Sequence, residues 1–326
     1  MLAPSLVLST LYGSGHESSG GGLSRYAILA PDGAQDHFAA MTTRVYARGS
    51  AEGAPPCAQQ DPEEAGVDFW TERVRRYGHT GWCDPVIYDF EQRARLYTVA
   101  RRLATYAGQK DVALDFGTGT GDFARLLACH YRRVVAFDPC VEVVDLARRK
   151  HAGVANIEFR QAPSVAQLDL ADEGLDLILS VTVLDHILDD SELDETLARL
   201  ARKLKPGGRL LALEYAVNAD ESAALALRKG NAYQRFSPLG EWRERLGRHG
   251  LSVERLTSFH DPYHNPAPSW ERYRKSLVRR AAHRLGWRAV EGLCAQLLIL
   301  SLRDLEWAGE RPSLLKLMDC RKGAGA

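Results

Sequence analysis

Between residues 111 and 215 the chain alternates, without interruption, between short apolar runs and stretches of helical period. The runs are DVALDFG (111–117), RRVVAFD (132–138), NIEFRQA (156–162), LDLILSV (175–181) and RLLALEY (209–215). Helices are expected over 121–130, near 140–150, and from Ser191, where Asp194 three residues on would complete a capping box. Strands apolar on both faces need cover on both faces, and helices between them provide it only if the strands run parallel. The expected fold is a doubly wound α/β sheet of seven mostly parallel strands. The last two strands are 251–259, after a helix at 237–250, and 313–321. Between them, residues 260–312 have helical character, with Trp270, Tyr273, Leu277 and Ala281 on one face, and read as an insertion roofing the site.

Ahead of the alternation, DFWTERVRRYGHTGW (68–82) suggests a short helix and a tight turn. A long helix follows, opened by Asp84 and Pro85 and stopped by Gly108, with Val86, Tyr88, Leu96, Val99, Leu103 and Tyr106 on its apolar side. Residues 63–109 thus form a helical segment before the core at 110–259 and 313–326. Residues 1–62, with SSGGG at 18–22 and GAPP at 53–56, read as a weakly structured extension. Met41 within it suggests an alternative natural start.

Lys plus Arg number 42 and Asp plus Glu 42, so the balance excludes a generic nucleic-acid coat or an acidic scaffold. No window approaches the roughly 18–20 apolar residues of a membrane span, and no stable membrane insertion is expected. The six cysteines, at 57, 83, 129, 140, 294 and 320, offer no CxxC pair. With no positive charge ahead of the mildly apolar amino terminus, the expected setting is cytoplasmic.

The sharpest local feature is Asp115-Phe116-Gly117-Thr118-Gly119-Thr120-Gly121, where the first strand turns into a helix. Glycines permit the tight turn and let a ligand approach main-chain amides. Ligands of such sheets bind at the carboxyl ends of the strands. Asp138 ends the second strand, where a carboxylate can accept both hydroxyls of a ribose. A dinucleotide fold would carry its third glycine at position 122, but Asp122 stands there, expected to point at the pyrophosphate and so to disfavour it. Asp115 suits a ligand with an ammonium group instead.

LDFGTGTG (114–121), VVAFDP (134–139), LDLILSVTVLDHI (175–187) and LKPGGRLLALEY (204–215) together resemble, in order, the class I S-adenosylmethionine-dependent methyltransferases. The resemblance implies S-adenosylmethionine as cofactor. It places Gly117 and Gly119 along the methionine moiety, Asp115 at the loop and the ammonium group, and Asp138 at the ribose. Thr118, Gly121, Pro139 and Ser180 complete the implied cofactor set. Where such enzymes often carry Gly-Asp-Ala after the third strand this chain has Ala162-Pro163-Ser164, so the adenine contact passes to backbone atoms or Ser164. RYGHTGWCDPVIYDFEQR (76–93) is similar to the pre-core segment of some bacterial members, which implies that Tyr77, His79 and Trp82 close over the cofactor.

Methyl transfer from a sulfonium is an in-line displacement, and a hydroxyl acceptor gains from a base that an amine does not need. His186, after the fourth strand, is the candidate base, with a pocket-shaping role as the alternative. Glu214 at the end of the fifth strand reaches the same rim, or else caps neighbouring amides. His260 and His264 fall on a substrate-facing loop; Pro262 and Pro266 oppose a helix that would align them on a metal, and no metal is expected.

Residues 165–198 hold ten acids and no Lys or Arg, whereas 271–326 hold twelve Lys or Arg against six acids. Residues 272–284 are therefore a candidate contact for an anionic lipid or phosphosugar, or simply a solvated face. Neither DNA nor RNA is expected, since aromatic residues are too sparse there for base stacking. The expected acceptor is a small molecule, a saccharide or a lipid-linked group, methylated on O or N. The alternatives are a nicotinamide-dependent reductase and a catalytically inactive, cofactor-binding regulatory subunit.

Overall fold

A computed structural model describes residues 67–81, 85–108, 110–217, 234–259 and 315–323. The expected extension at 1–62, the insertion at 260–312 with His260, His264 and the basic stretch 272–284, and Trp82 lie outside the described residues.

Among the described residues two helices precede the sheet, α1 (Val67–Tyr77) and α2 (Pro85–Leu103). Then come β1 (Val112–Phe116), α3 (Asp122–Leu127), β2 (Arg133–Asp138), α4 (Val141–Lys150), β3 (Ile157–Gln161) and β4 (Leu175–Val181). They are followed by α5 (Asp190–Lys203), β5 (Leu204–Val217), β6 (Ser237–Pro238), α6 (Leu239–Arg248), β7 (Leu251–Phe259) and β8 (Leu315–Lys322). The strand order is β3-β2-β1-β4-β5-β8-β7. The first five strands are parallel, and β8 runs antiparallel to both its neighbours. These are the seven expected strands; the two-residue β6 adds a short parallel pairing on β5.

Burial explains the pattern. Strands β1, β2, β4 and β5 lie inside the sheet and are almost wholly buried, whereas β3, at the edge, is half exposed and carries the polar residues of IEFRQ. Leu193, Leu197 and Leu200 of α5 and Trp242 and Leu246 of α6 pack into one apolar cluster with Leu114, Ile178, Leu210 and Met318 of the strands. Trp242 is fully buried, and its indole N–H donates to the Tyr215 carbonyl at 2.9 Å. The indole is thereby buried without losing its hydrogen bond.

Three local details differ from expectation. The cap of α5 is Asp189, whose carboxylate accepts from the Glu192 amide at 2.8 Å, not Ser191. Helix α2 ends at Leu103, five residues before Gly108, although Gly108 does take a positive φ. Strand β5 starts at Leu204, earlier than expected, because Pro206-Gly207-Gly208 forms an irregularity within it: Gly207 has φ +75°, and a Cβ on Gly208 would meet the Lys205 carbonyl at 2.8 Å.

Candidate ligand site at the carboxyl ends of the strands

The glycine loop joins β1 to α3 in a conformation that only glycine takes easily. Gly117, Gly119 and Gly121 have φ of +74°, +51° and +80°. Space is equally restrictive: a Cβ on Gly117 would lie 2.4 Å from Val183, and one on Gly121 2.7 Å from His151. The amides of Gly117 and Thr118 both donate to the Phe137 carbonyl, at 3.0 and 2.8 Å, which ties the loop to the end of β2.

Asp115 works inside this loop. Its carboxylate is buried, accepts from the Thr118 hydroxyl at 2.6 Å and bonds the Ala124 amide of α3. Burial pushes its pKa up to about 7 against those two hydrogen bonds. Asp138 stands at the end of β2, where Oδ2 accepts from the Gly119 amide at 3.2 Å and Oδ1 from the Cys140 amide at 3.0 Å. Burial raises it to about 6, against the same two amides. Each of its oxygens keeps a second lone pair, so a diol fits there.

Asp122 does not point where a pyrophosphate would rest. It binds Lys150 of α4 at 2.8 Å and accepts from Thr120 at 2.9 Å and Gln92 at 3.3 Å, bracing the loop from behind. The expected exclusion of pyrophosphate by this residue is therefore withdrawn.

Helix α1 and the turn after it cross the strand ends at three places. Thr71 is buried against Cys140, 3.0 Å from its sulfur, and donates to Glu142 at 3.2 Å. Trp70 meets the His186 ring edge-on at a centroid distance of 4.9 Å. The Thr80 hydroxyl lies 3.2 Å from where a Cβ on Gly119 would stand. Arg73 fastens the turn by donating to the carbonyls of Thr80 and Gly81. His79 stacks on Tyr88 at 3.7 Å, and on Tyr77 at 6.0 Å. Burial, then the charges of Arg73 and Lys150, push His79 down to about 4, so it is neutral at pH 7. His79 thus reaches the loop through Tyr88, whose hydroxyl lies 3.3 Å from that of Thr120, and Tyr77 packs on His79.

The rim after β4 differs from expectation. Glu214 is wholly buried: it accepts from the Ser180 hydroxyl at 2.6 Å and from the amides of Val183 at 3.1 Å and Asp185 at 3.3 Å. Its role is capping, and Ser180, equally buried, spends its hydroxyl on it; neither side chain lies on the rim, because the turn 182–186 folds over them. Burial and the neighbouring Asp185 carboxylate hold Glu214 well above the ordinary range. His186 keeps about a fifth of its side chain exposed. Ser164 is exposed on an extended backbone before the turn 165–167, and the Pro139 carbonyl accepts from Gln161 at 3.0 Å.

Sequence reasoning missed Trp70, Thr71, Thr80, Val183 and Asp185. Thr80 lay inside the quoted RYGHTGW, but the contacts of the others depend on how α1 and the turn after β4 pack. Among the described residues no group of three or more metal-ligating side chains comes together, and no helix is long and apolar enough to cross a membrane.

Residues 113–208 match the family model of a methyltransferase domain. The ubiquinone/menaquinone biosynthesis C-methyltransferase UbiE of Rubrivivax gelatinosus is 38% identical over 119 residues, 36% of this chain and 44% of that protein. The N-demethylindolmycin N-methyltransferase of Streptomyces griseus is 32% identical over 145 residues, 43% of this chain and 60% of that one. The chain thus spans less than two thirds of either relative. A putative sarcosine dimethylglycine methyltransferase from Galdieria sulphuraria superposes with a TM-score of 0.50 at 18% identity, over 79% of this chain and 99% of that one, a likeness of fold. The ordered motifs and the strand order agree with that match, so residues 113–208 carry a methyltransferase domain.

Proposed function

We propose that this protein is an S-adenosylmethionine-dependent methyltransferase acting on a small-molecule acceptor. The observation that carries the reading is the pairing of the glycine loop with Asp138: a cradle closed to any Cβ at Gly117 and Gly121, beside a buried carboxylate with lone pairs to spare for a ribose diol. The residues therefore fit the cofactor. When bound, S-adenosylmethionine supplies an electrophilic methyl group on a sulfonium.

The chain's own residues then bind, orient and shield. Gly117 to Gly121 offer close main-chain approach, Asp138 takes the ribose hydroxyls, and Asp115 keeps the loop in register through Thr118. Trp70, Thr71 and Thr80 cover the strand ends and limit access of water. His186 borders the place where an acceptor would enter. Relatives named for C- and N-methylation share only part of their length with this chain, so the acceptor is argued from the rim and not from them. A small acceptor, reached inside the fold under α1, suits this enclosed rim better than a flat polymer.

Isothermal titration with S-adenosylmethionine, S-adenosylhomocysteine and NADH tests the reading. Binding of the first two at micromolar concentration and not of NADH is expected. Asp138→Ala should weaken it by about 1.5–3 kcal/mol, roughly 10- to 100-fold, as the loss of hydrogen bonds to a charged group does. Binding of NADH alone would overturn the assignment.

A further inference from the structure

The back of the glycine loop is held from the end of α4. That helix stops at Lys150, and His151 follows it with its amide on the Ala147 carbonyl at 3.0 Å. These two neighbours take two different parts of the loop. Lys150 reaches the Asp122 carboxylate at 2.8 Å, while Nε2 of His151 lies 3.2 Å from the Thr120 carbonyl oxygen. The His151 ring also fills the space behind Gly121, 2.7 Å from where a Cβ there would stand, with Ala147 at 3.1 Å. Phe159 of β3 lies nearly parallel to that ring, at a centroid distance of 6.3 Å.

A carbonyl oxygen can only accept, so the proton of the His151–Thr120 pair belongs to Nε2. Burial holds the imidazole below its ordinary pKa, opposed by Asp122 at 3.7 Å and helped by Lys150 and Arg125. At pH 7 His151 is therefore a neutral ring with its hydrogen on Nε2. Thr120 carries this hold toward the site. Its buried side chain donates to Asp122 at 2.9 Å and lies 3.3 Å from the Tyr88 hydroxyl of α2. On its other side, the Gly119 amide donates at 3.2 Å to Asp138, the carboxylate assigned above to the ribose. Gly119 and Gly121, at φ +51° and +80°, flank Thr120, and the peptide groups between two glycines turn readily unless a partner fixes them.

Resting on the methyltransferase reading above, we propose that His151 is a positioning residue for the cofactor. It acts through the backbone and not by contact with the ligand. By donating to Thr120 and walling off Gly121 it fixes the backbone of 119–121, which keeps the Gly119 amide on Asp138 and that carboxylate turned to the ribose diol.

Two variants separate the hydrogen bond from the bulk. His151→Leu keeps an apolar side chain behind Gly121 but has no donor, whereas in His151→Gln the side-chain amide takes the place of Nε2. By calorimetry, S-adenosylhomocysteine should bind His151→Leu roughly 3- to 10-fold more weakly than the wild type, the usual worth of one hydrogen bond, and His151→Gln within about twofold. The pH profile tells positioning from mere support of the fold. The Gly119 amide opposes protonation of Asp138, so where that amide drifts away the loss of affinity through about pH 6 should move to higher pH. This shift is expected in His151→Leu and not in His151→Gln; the Cys140 amide and the neighbouring Asp115 are common to both. Unchanged affinity in His151→Leu, weaker binding with an unmoved profile, or a His151→Gln no better than His151→Leu overturns the proposal. Should a variant fold poorly, 15N NMR of the wild type with S-adenosylhomocysteine bound decides, with His151 assigned through its backbone: a proton on Nε2 is expected, and one on Nδ1 alone overturns the pair. Failure of the wild type itself to bind S-adenosylhomocysteine overturns the methyltransferase reading, and this role with it.

Discussion

At neutral pH the buried carboxylates at the ends of β1 and β2 sit close to their own titration range, Asp115 at about 7 and Asp138 at about 6. On the proposed function, the ribose hydroxyls need the ionised form of Asp138 as acceptor. Affinity for S-adenosylhomocysteine should therefore fall as pH drops through about 6, by about tenfold per unit once the proton is fully on. Titrations from pH 5 to 8 check this, and Asp138→Asn should flatten the dependence while lowering affinity throughout. His79 does not contribute to that slope, because its pKa is already near 4. Glycine loop and Asp138 were both legible in the sequence, since a turn needing positive φ admits few residue types. The inward role of Asp115, the bracing role of Asp122 and the burial of Ser180 and Glu214 were not, since side-chain direction there depends on partners far along the chain.

At the scale of elements, α5 shows how a nearly correct boundary still names the wrong residue. Both Asp189 and Ser191 are good caps, and sequence alone offers either register. The chain enters the helix with Asp189 in extended conformation and its carboxylate on the Glu192 amide. Asp189→Ala should therefore cost about 1 kcal/mol and Ser191→Ala far less, as measured by urea denaturation. Helix α1 carries a different lesson. Its existence was readable from 68–77, but its course, from Cys140 past Trp70 and His186, was not, because helical period says which residues share a face and not what that face meets.

Across the whole molecule, the antiparallel β8 is held between β5 and β7 by more than its ladder. Asp319 of β8 is almost fully buried and accepts from Arg102 at the end of α2 and from Arg209 of β5, the latter at 2.9 Å. Tyr106 stacks beneath both guanidinium groups, 5.3 and 4.9 Å from its ring centroid. Asp319→Ala takes the carboxylate from Arg102 and leaves Arg209 only Glu254, at 3.0 Å, and should cost about 3–5 kcal/mol in denaturant unfolding, the usual result of breaking a buried pair. The sequence by itself determined the doubly wound class, the seven principal strands and the glycine loop of the candidate site, because apolar runs buried on both faces and glycines at positive φ have few other solutions. Only the tertiary structure decided how the carboxyl groups are shared out between capping and bracing. A carboxylate's role is set by the donors that surround it in space, and Glu214, Asp185 and Asp319 each draw theirs from residues distant in the chain.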